Sequence, residues 1–464
     1  MILDKIFQSN FEEIRSNQGK HSKFSLIVFL ILASTINFLL CETIYFQPLH
    51  SADQLYSPLV VLDFFSGKGI THWYLPPSPY FFPDLVLMSV LYLVLPFLYL
   101  PSFYGVIQMV FVTLGIYWVL NEFLSKHESL LYLFYFQTLL ILFSFLSHLL
   151  KDNPFPFVFF FTNAHHNTGF FFSLFLVSVL GFNLRKRSLG HEGKNRDLVF
   201  RLCLYWIGFT VLYLSDRYSF CIGFICFMTI YLLEIRKKNE IGITKLHGWR
   251  LTTLILLFFL VNEFLFYGIK QSLQIPNSFG ILFNSLSQKS GERILFLSGT
   301  YLLDVSKHLF YQNGSLLFLI SLSLFTSFKF PVRIRILVLV LFPVLLLLLI
   351  VVGRFTYLHP YPIRYLFPIW FFCFLGISWY FQITMHRFPI SLWYVWFAFC
   401  ILFLSFFPKP RQTVKESLLK ETKQEVSYDL EKPIRFWSEG EKKPIPVDHE
   451  GKPYRWITGA FHTP

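Results

Sequence analysis

Long runs of apolar residues constrain the fold of this chain more than any other feature of its sequence. Such runs recur from residue 24 to residue 407, and 24–40, 102–120 and 334–352 are the clearest of them. A helix of about 20 apolar residues is long enough to cross the hydrocarbon core of a bilayer. Only 14% of the 464 residues are charged, whereas a soluble domain carries about 25%. The sequence therefore predicts an all-α integral membrane protein.

The runs predict a polytopic helical bundle of about eleven spans. They lie at 24–40, 102–120, 130–148, 168–182, 200–214, 219–234, 250–269, 314–328, 334–352, 365–384 and 389–407. One further run, 84–100, decides the topology, because every later loop changes sides if this run also crosses the membrane.

The positive charges favour a topology in which 84–100 does not cross, since short cytoplasmic loops are enriched in Lys and Arg. In that topology the N-terminus and the inner loops hold 20 of the 40 basic residues, the outer loops hold 9, and the tail holds 11. If 84–100 crosses, the short loops hold 12 inside and 17 outside. We therefore predict a cytoplasmic N-terminus at 1–23, a transmembrane region at 24–407 and an extracytoplasmic tail at 408–464.

Two long loops then lie on the outer side, at 41–101 and 271–313. The first contains 84–100, predicted to be a juxtamembrane helix bounded by prolines. In the second, charged residues among the apolar residues of 294–310 indicate an interfacial helix. The tail is polar, and its composition leaves open whether it forms a small appendage or stays largely unfolded.

The net charge of +13 does not indicate a nucleic-acid partner, because the basic residues are scattered over short loops instead of forming a patch. Five of the six cysteines fall inside apolar runs, without the spacing of a metal or redox site. The bilayer is the partner that the composition supports.

Two motifs stand at predicted outer edges of the membrane. The first loop carries an Asp and a Tyr, then glycines, then a proline cluster that leads into 84–100: Asp53-Gln54-Leu55-Tyr56, Gly67 or Gly69, and Pro76-Pro77-Ser78-Pro79. A late span opens with Arg364-Tyr365-Leu366-Phe367-Pro368. In order and approximate spacing this pattern resembles the GT-C superfamily of membrane glycosyltransferases, which use polyprenyl-phosphate-linked sugars. Two positions depart from it: Gln54 replaces the usual Glu, and Leu75 replaces the His before the prolines.

The resemblance implies an inverting transferase that moves a sugar from a polyprenyl-phosphate donor to a hydroxyl of a glycan, lipid or protein acceptor. It implies Asp53 as the general base. It implies Arg364 as the cation beside the departing phosphate, with Arg217 and Arg354 as alternatives. Further residues predicted to bind substrate are Tyr365, His72, His165, His166 and Tyr56. No cofactor is certain, and a divalent cation stays open.

Each of these residues also has a structural explanation. Asp53 would cap a helix or solvate the loop, and Arg364 would anchor a helix end at the membrane edge. The adjacent His165 and His166 would bind metal, contact a substrate or cap a helix. Asp216 and Arg217 would neutralise one another, unless Arg217 faces the same cavity as Asp53.

Two other functions compete with the transferase. A transporter or flippase places ionisable residues near the middle of the bilayer, but these spans are nearly free of charge there, with Glu263 as the main exception. A non-enzymatic assembly protein would be indicated by an outer loop without a concave site around Asp53.

Overall fold

The computed structural model describes residues 19–153, 155–163, 166–188, 195–237, 245–356, 363–385, 389–421, 423–448, 450–454 and 457–459. Over these residues the chain is a bundle of helices with two small two-stranded sheets. The predicted all-α membrane class is confirmed at this level.

The described residues of the first half form ten α-helices and one short strand. They are α1 (Gly19–Glu42), α2 (Phe46–Leu49), α3 (Ala52–Phe65), β1 (Trp73–Tyr74), α4 (Val86–Val94), α5 (Leu100–Leu120), α6 (Lys126–Leu149), α7 (Phe155–Val158), α8 (Asn167–Ser188), α9 (Asn195–Ser215) and α10 (Arg217–Lys237). The second half continues with α11 (Lys245–Ser272), α12 (Ser278–Ser287), α13 (Gly291–Gln312), α14 (Gly314–Thr326), α15 (Val332–Ile350), α16 (Phe367–Thr384), α17 (Ile390–Ser405), α18 (Arg411–Leu419), β2 (Glu425–Ser427), α19 (Tyr428–Trp437), β3 (Ile445–Val447) and β4 (Thr458–Gly459).

Each predicted apolar run falls on one of these helices, but only some are long enough to be candidate spans. Six described helices are long and apolar enough: Phe24–Glu42, Phe97–Leu120, Lys126–Leu149, Ile255–Ser272, Val332–Thr356 and Arg364–Thr384. A seventh candidate is the pair Gly291–Gln312 and Gly314–Lys329, which is bent by 99°. Shorter apolar helices cover Phe81–Val94, Asn167–Val179, Leu204–Ser215, Arg217–Ile230 and Ile390–Ser405. The total of eleven spans stays a prediction.

The run 84–100 is not a single helix. A π-helical turn at Phe81–Leu85 leads into α4, which ends at Val94, and Leu95 is extended (φ −126°, ψ 152°). Pro96 then begins a 3-10 turn, Phe97–Tyr99, that continues into α5. The predicted boundary is therefore wrong at its end, because the last residues of the run belong to the next helix. The apolar helix Phe81–Val94 is shorter than a span.

The helix α6 shows how the sequence defines a span. Ser125 is its N-cap: the Ser125 hydroxyl accepts from the Glu128 backbone N–H at 3.2 Å, and the Glu128 carboxylate accepts from the Ser125 N–H at 2.9 Å. This capping box satisfies two backbone donors that the first turn leaves unpaired. Most of α6 is buried in the bundle. In α16, Gly376 allows the Phe330 ring to approach the helix backbone, because a Cβ at position 376 would overlap the ring.

The tail is folded and packs on the first loop. β2 and β3 pair in parallel within the tail, and β4 pairs antiparallel with β1 of the loop, with Trp73 opposite Gly459. Loop and tail share a hydrophobic core separate from that of the bundle, and it includes Phe46, Leu55, Trp73, Phe97, Phe436 and Trp437. The alternative of a largely unfolded tail is therefore wrong for its described residues, and the tail lies on the same side as the loop.

Candidate functional site

Asp53 and Arg364, each drawn from a different motif, form an ion pair. The Arg364 Nη1 atom lies 3.7 Å from Asp53 Oδ2. The two side chains keep 38% (Asp53) and 22% (Arg364) of their surface exposed. Because both carry a charge that solvent still reaches, the pair is accessible to a polar ligand, unlike an ion pair sealed in a core.

Asp53 owes its position to the start of α3. Ser51, with φ −76° and ψ 162°, is the N-cap, and Asp53 stands in the first turn of the helix. A negative charge is favoured there by the helix dipole. Asp53 is not the capping residue itself, so the capping explanation is wrong, while the explanation that Asp53 solvates the loop is not tested. Its carboxylate is directed to Arg364 and to the tail.

Arg364 lies in a 3-10 turn, Ile363–Leu366, immediately before α16. Pro368 occupies the first turn of α16, where its missing N–H costs nothing. The Arg364 guanidinium lies 5.4 Å from the centre of the Tyr365 ring. The second motif thus opens a candidate span, as predicted, and presents its cation to the first loop.

The tail supplies a third partner that the sequence analysis missed. The Tyr428 hydroxyl donates to Asp53 Oδ1 at 2.9 Å. Lys432, one turn further along α19, lies 3.8 Å from the centre of the Tyr428 ring and pairs with Glu431 at 3.1 Å. Lys432 and Glu431 are fully buried, and burial lowers the pKa of Lys432. The apolar residues Ile434, Phe436 and Trp437 of α19 indicate that this helix packs against another part of the protein, but no feature of the sequence marks Tyr428 as a partner of Asp53.

A second cluster adjoins Arg364 and contains His166 and Tyr365. His166 Nδ1 lies 2.6 Å from Asp216 Oδ1 and donates to it, because a carboxylate only accepts. His166 Nε2 lies 3.5 Å from the Tyr80 hydroxyl. The His166 ring stands 5.5 Å from that of Tyr365, whose carbonyl accepts from the Tyr218 hydroxyl at 2.8 Å. Two of the predicted site residues therefore lie together.

Tyr80 and His166 both adopt positive φ angles, 55° and 75°. Side chains other than glycine rarely adopt this conformation, and it is concentrated at functional sites. Burial, and then the Asp216 carboxylate, raise the pKa of Tyr80, so that its hydroxyl keeps its proton. Arg364 acts on Tyr80 in the opposite direction, which places Tyr80 within electrostatic reach of both clusters.

Asp84 is a further buried carboxylate that the sequence analysis did not select. It follows the proline cluster, is 2% exposed and accepts from the Tyr104 hydroxyl. Tyr104 also contacts Thr168 Oγ1 at 2.6 Å, and Thr168 donates to Gln108 Oε1 at 2.5 Å. The position of Asp84 directly after Pro83 was the signal available. Its partners tie the loop to α5 and α8.

Arg217 contacts residues of α11 instead of Asp53. Its Nη1 lies 3.4 Å from Glu263 Oε1, and its guanidinium lies 3.6 Å from the centre of the Phe266 ring. Glu263 also accepts from the Tyr213 hydroxyl. Asp216 is directed to His166 (above), so the two adjacent charges do not neutralise one another. The prediction that pairs them is wrong, and Arg217 is held by Glu263.

Tyr56 and His72 occupy different environments. Tyr56 is buried, its hydroxyl donates to the Pro79 carbonyl at 3.0 Å, and its ring packs edge-on against Trp73. It therefore fixes the proline cluster, and its contacts are structural. His72 is exposed at the end of the 3-10 turn Ile70–His72. His165 lies outside the described residues.

Within the part of the chain that the structure describes, no three His, Cys, Asp or Glu side chains form a group that fits a metal ion. A comparison with models of known protein families finds no match, and a comparison with curated proteins finds none either. The geometry of the two clusters is therefore the main indication of function.

Proposed function

We propose that the chain is a membrane glycosyltransferase that moves a sugar from a polyprenyl-phosphate donor to the hydroxyl of an acceptor. The acceptor hydroxyl lies beside Asp53, on the extracytoplasmic side. One observation carries the proposal: Asp53 and Arg364 come from two motifs far apart in the sequence and lie 3.7 Å apart. The reaction requires a base at the acceptor hydroxyl and a cation at the departing phosphate, and this pair supplies one group of each kind.

The proposed step transfers one proton and one sugar. The acceptor oxygen attacks the anomeric carbon while Asp53 takes the hydroxyl proton. The bond from that carbon to the phosphate oxygen breaks, and its electron pair leaves with the polyprenyl phosphate. Arg364 stabilises the negative charge that grows on the phosphate, since a guanidinium stays charged and donates two parallel hydrogen bonds. Attack from the side opposite the phosphate inverts the anomeric carbon.

Two features support a fixed site over a transport pathway. His166, which donates to Asp216 at 2.6 Å, and Tyr80, whose hydroxyl lies 3.5 Å from His166 Nε2, form a hydrogen-bonded polar group within electrostatic reach of Arg364. Glu263, the acidic residue predicted near the middle of a span, is neutralised by Arg217 at 3.4 Å and hydrogen-bonded by Tyr213. A carboxylate satisfied in this way needs no transported ion to explain it.

The test is transfer by purified protein in lipid nanodiscs, supplied with radiolabelled polyprenyl-phosphate sugars and a mixture of glycan and lipid acceptors. Asp53→Asn removes the base, and we expect transfer to fall by at least about a hundredfold. Arg364→Gln removes the positive charge that stabilises the negative charge growing on the phosphate in the transition state. We therefore expect a similar loss in kcat. Asp304→Asn changes an exposed carboxylate of α13 and serves as the control.

Normal transfer by Asp53→Asn would remove Asp53 from the mechanism. Failure of the unmodified protein to transfer any sugar of the panel, together with failure to bind polyprenyl phosphate, would contradict the proposed function as a whole.

A further inference from the structure

The α19 helix of the tail reaches the carboxylate of Asp53 with two side chains. Tyr428 donates its hydroxyl to Asp53 Oδ1 at 2.9 Å, and Asp53 Oδ2 faces Arg364 at 3.7 Å. Each carboxylate oxygen thus has its own partner, one from the tail and one from the bundle. Lys432 is also within electrostatic reach of Asp53.

We infer that the C-terminal segment is part of the site and that Tyr428 is a positioning residue, which holds Asp53 in the orientation that leaves Oδ2 for Arg364 and the acceptor. The catalytic consequence rests on the proposed function, whereas the orientation of Asp53 does not. A hydroxyl that donates a hydrogen bond to one oxygen fixes the plane of the carboxylate and favours its charged form.

Tyr428 is able to hold Asp53 in place because α19 itself is packed firmly against the first loop. Arg435, fully buried, forms an ion pair with Asp63 of α3. Trp437 stacks on His50 with ring centres 5.2 Å apart, and Phe436 packs on Phe97 at 4.7 Å. These contacts join the tail to both ends of the first loop. Tyr428 therefore approaches Asp53 from a fixed helix, whose own N-terminal turn begins at this residue.

The chemistry of Tyr428 suits a permanent donor. Burial, and then the charge of Asp53, raise the pKa of Tyr428 well above its ordinary value, so the hydroxyl keeps its proton over the working range of pH. The titratable or charged groups around Asp53 include Tyr428, Lys432 and Tyr454 from the tail and Arg364 before α16. Lys432 and Arg364 act on Asp53 as cations, and Tyr428 donates a hydrogen bond to it at 2.9 Å.

The test is the variant Tyr428→Phe, which removes the hydroxyl and keeps the ring. Asp53 is exposed enough for a water-soluble carbodiimide, which reacts with protonated carboxyl groups, and mass spectrometry measures its labelling against pH. We expect the midpoint of labelling to move to higher pH by about half a unit to one unit, since one hydrogen bond to the charged form is lost. The matched control is Tyr132→Phe, which removes a hydroxyl that donates to the Leu375 carbonyl at 2.7 Å inside the bundle.

A second readout uses transfer. In Tyr428→Phe the acidic limb of kcat/KM should move in the same direction as the labelling midpoint, with a fall in kcat and little change in donor KM. An unchanged labelling midpoint, in a variant that elutes as a folded protein, would overturn the role of Tyr428. If no donor is used by the unmodified protein, the proposed function fails, while the labelling experiment still decides whether Tyr428 holds Asp53.

Discussion

At the residue scale, Asp63 shows how firmly the first loop and the tail are joined. Its carboxylate is 1% exposed, accepts from Lys68 Nζ at 3.1 Å and from Trp73 Nε1 at 3.0 Å, and pairs with the buried Arg435. Three donors from the loop and the tail thus share one acceptor. A buried charge of this kind is tolerated only while its partners remain in place.

The variant Asp63→Asn should therefore destabilise the docked tail. Loss of the carboxylate leaves Arg435 charged and buried without its counter-ion, which costs about 3–5 kcal/mol in comparable cases. Thermal unfolding in detergent, followed by the fluorescence of Trp73 and Trp437, measures the change. Asp429→Asn, at an exposed carboxylate of α19, is the control. Equal melting of the two variants would contradict the role given to Asp63.

The residue scale also shows where prediction from sequence succeeds. Asp53 and Arg364 were selected because each stands in a short motif at a predicted membrane edge, and the structure brings them together. Arg217 was selected only because it is a cation between two spans, and it pairs with Glu263 instead. Tyr428 could not be selected, since a tyrosine in a polar tail carries no local signal of a partner in the first loop.

At the element scale, the docking of α18 and α19 depends on aromatic and charged contacts with the loop. Arg411 of α18 bonds the Glu42 carboxylate at 2.5 Å and the Leu98 carbonyl at 2.8 Å, and it lies 3.9 Å from the centre of the Tyr99 ring. The spans were predictable because crossing a bilayer requires a long apolar run. The tail was not, because its short helices are stabilised by tertiary contacts rather than by their own sequence pattern.

His50, between α2 and α19, makes this docking dependent on pH. Burial lowers the pKa of His50 to about 4, while its Nδ1 donates to the Phe46 carbonyl at 2.8 Å. As the pH falls, His50 is therefore protonated at a lower pH in the folded protein than in the unfolded chain. The stability contributed by neutral His50 is complete above about pH 6.5 and is lost progressively between that pH and about 4.

We expect the melting temperature of the tail to fall over this range, and we expect His50→Phe, which keeps the ring against Trp437, to reduce the fall. Unfolding followed by tryptophan fluorescence at several pH values measures both. His127→Phe, at an exposed histidine in the first turn of α6, is the control. The same pH dependence in His50→Phe as in the unmodified protein would contradict this assignment.

At the scale of the whole molecule, the contact between tail and loop restricts the number of crossings. Five of the six long apolar helices lie between the first loop and the tail. An even number of crossings must separate two segments on the same side of a membrane, so these five are not the complete set. Adding the bent pair as one span, together with the four shorter apolar helices from α8, α9, α10 and α17, would give ten crossings between loop and tail, which is an even number. Phe24–Glu42, before the loop, would bring the count to the eleven that the sequence predicts.

A membrane-impermeant thiol reagent tests whether the first loop, Arg364 and the tail share one face of the membrane. In a protein without native cysteines, single cysteines replace the exposed residues Thr71 of the loop, Asp429 of the tail and Lys126, the first residue of α6. We predict that Thr71→Cys and Asp429→Cys are labelled from the outer side of intact cells, and that Lys126→Cys is labelled only after the membrane is opened. Labelling of Thr71→Cys and Asp429→Cys from opposite sides would contradict the account, because Asp53 and Tyr428 would then have no common site.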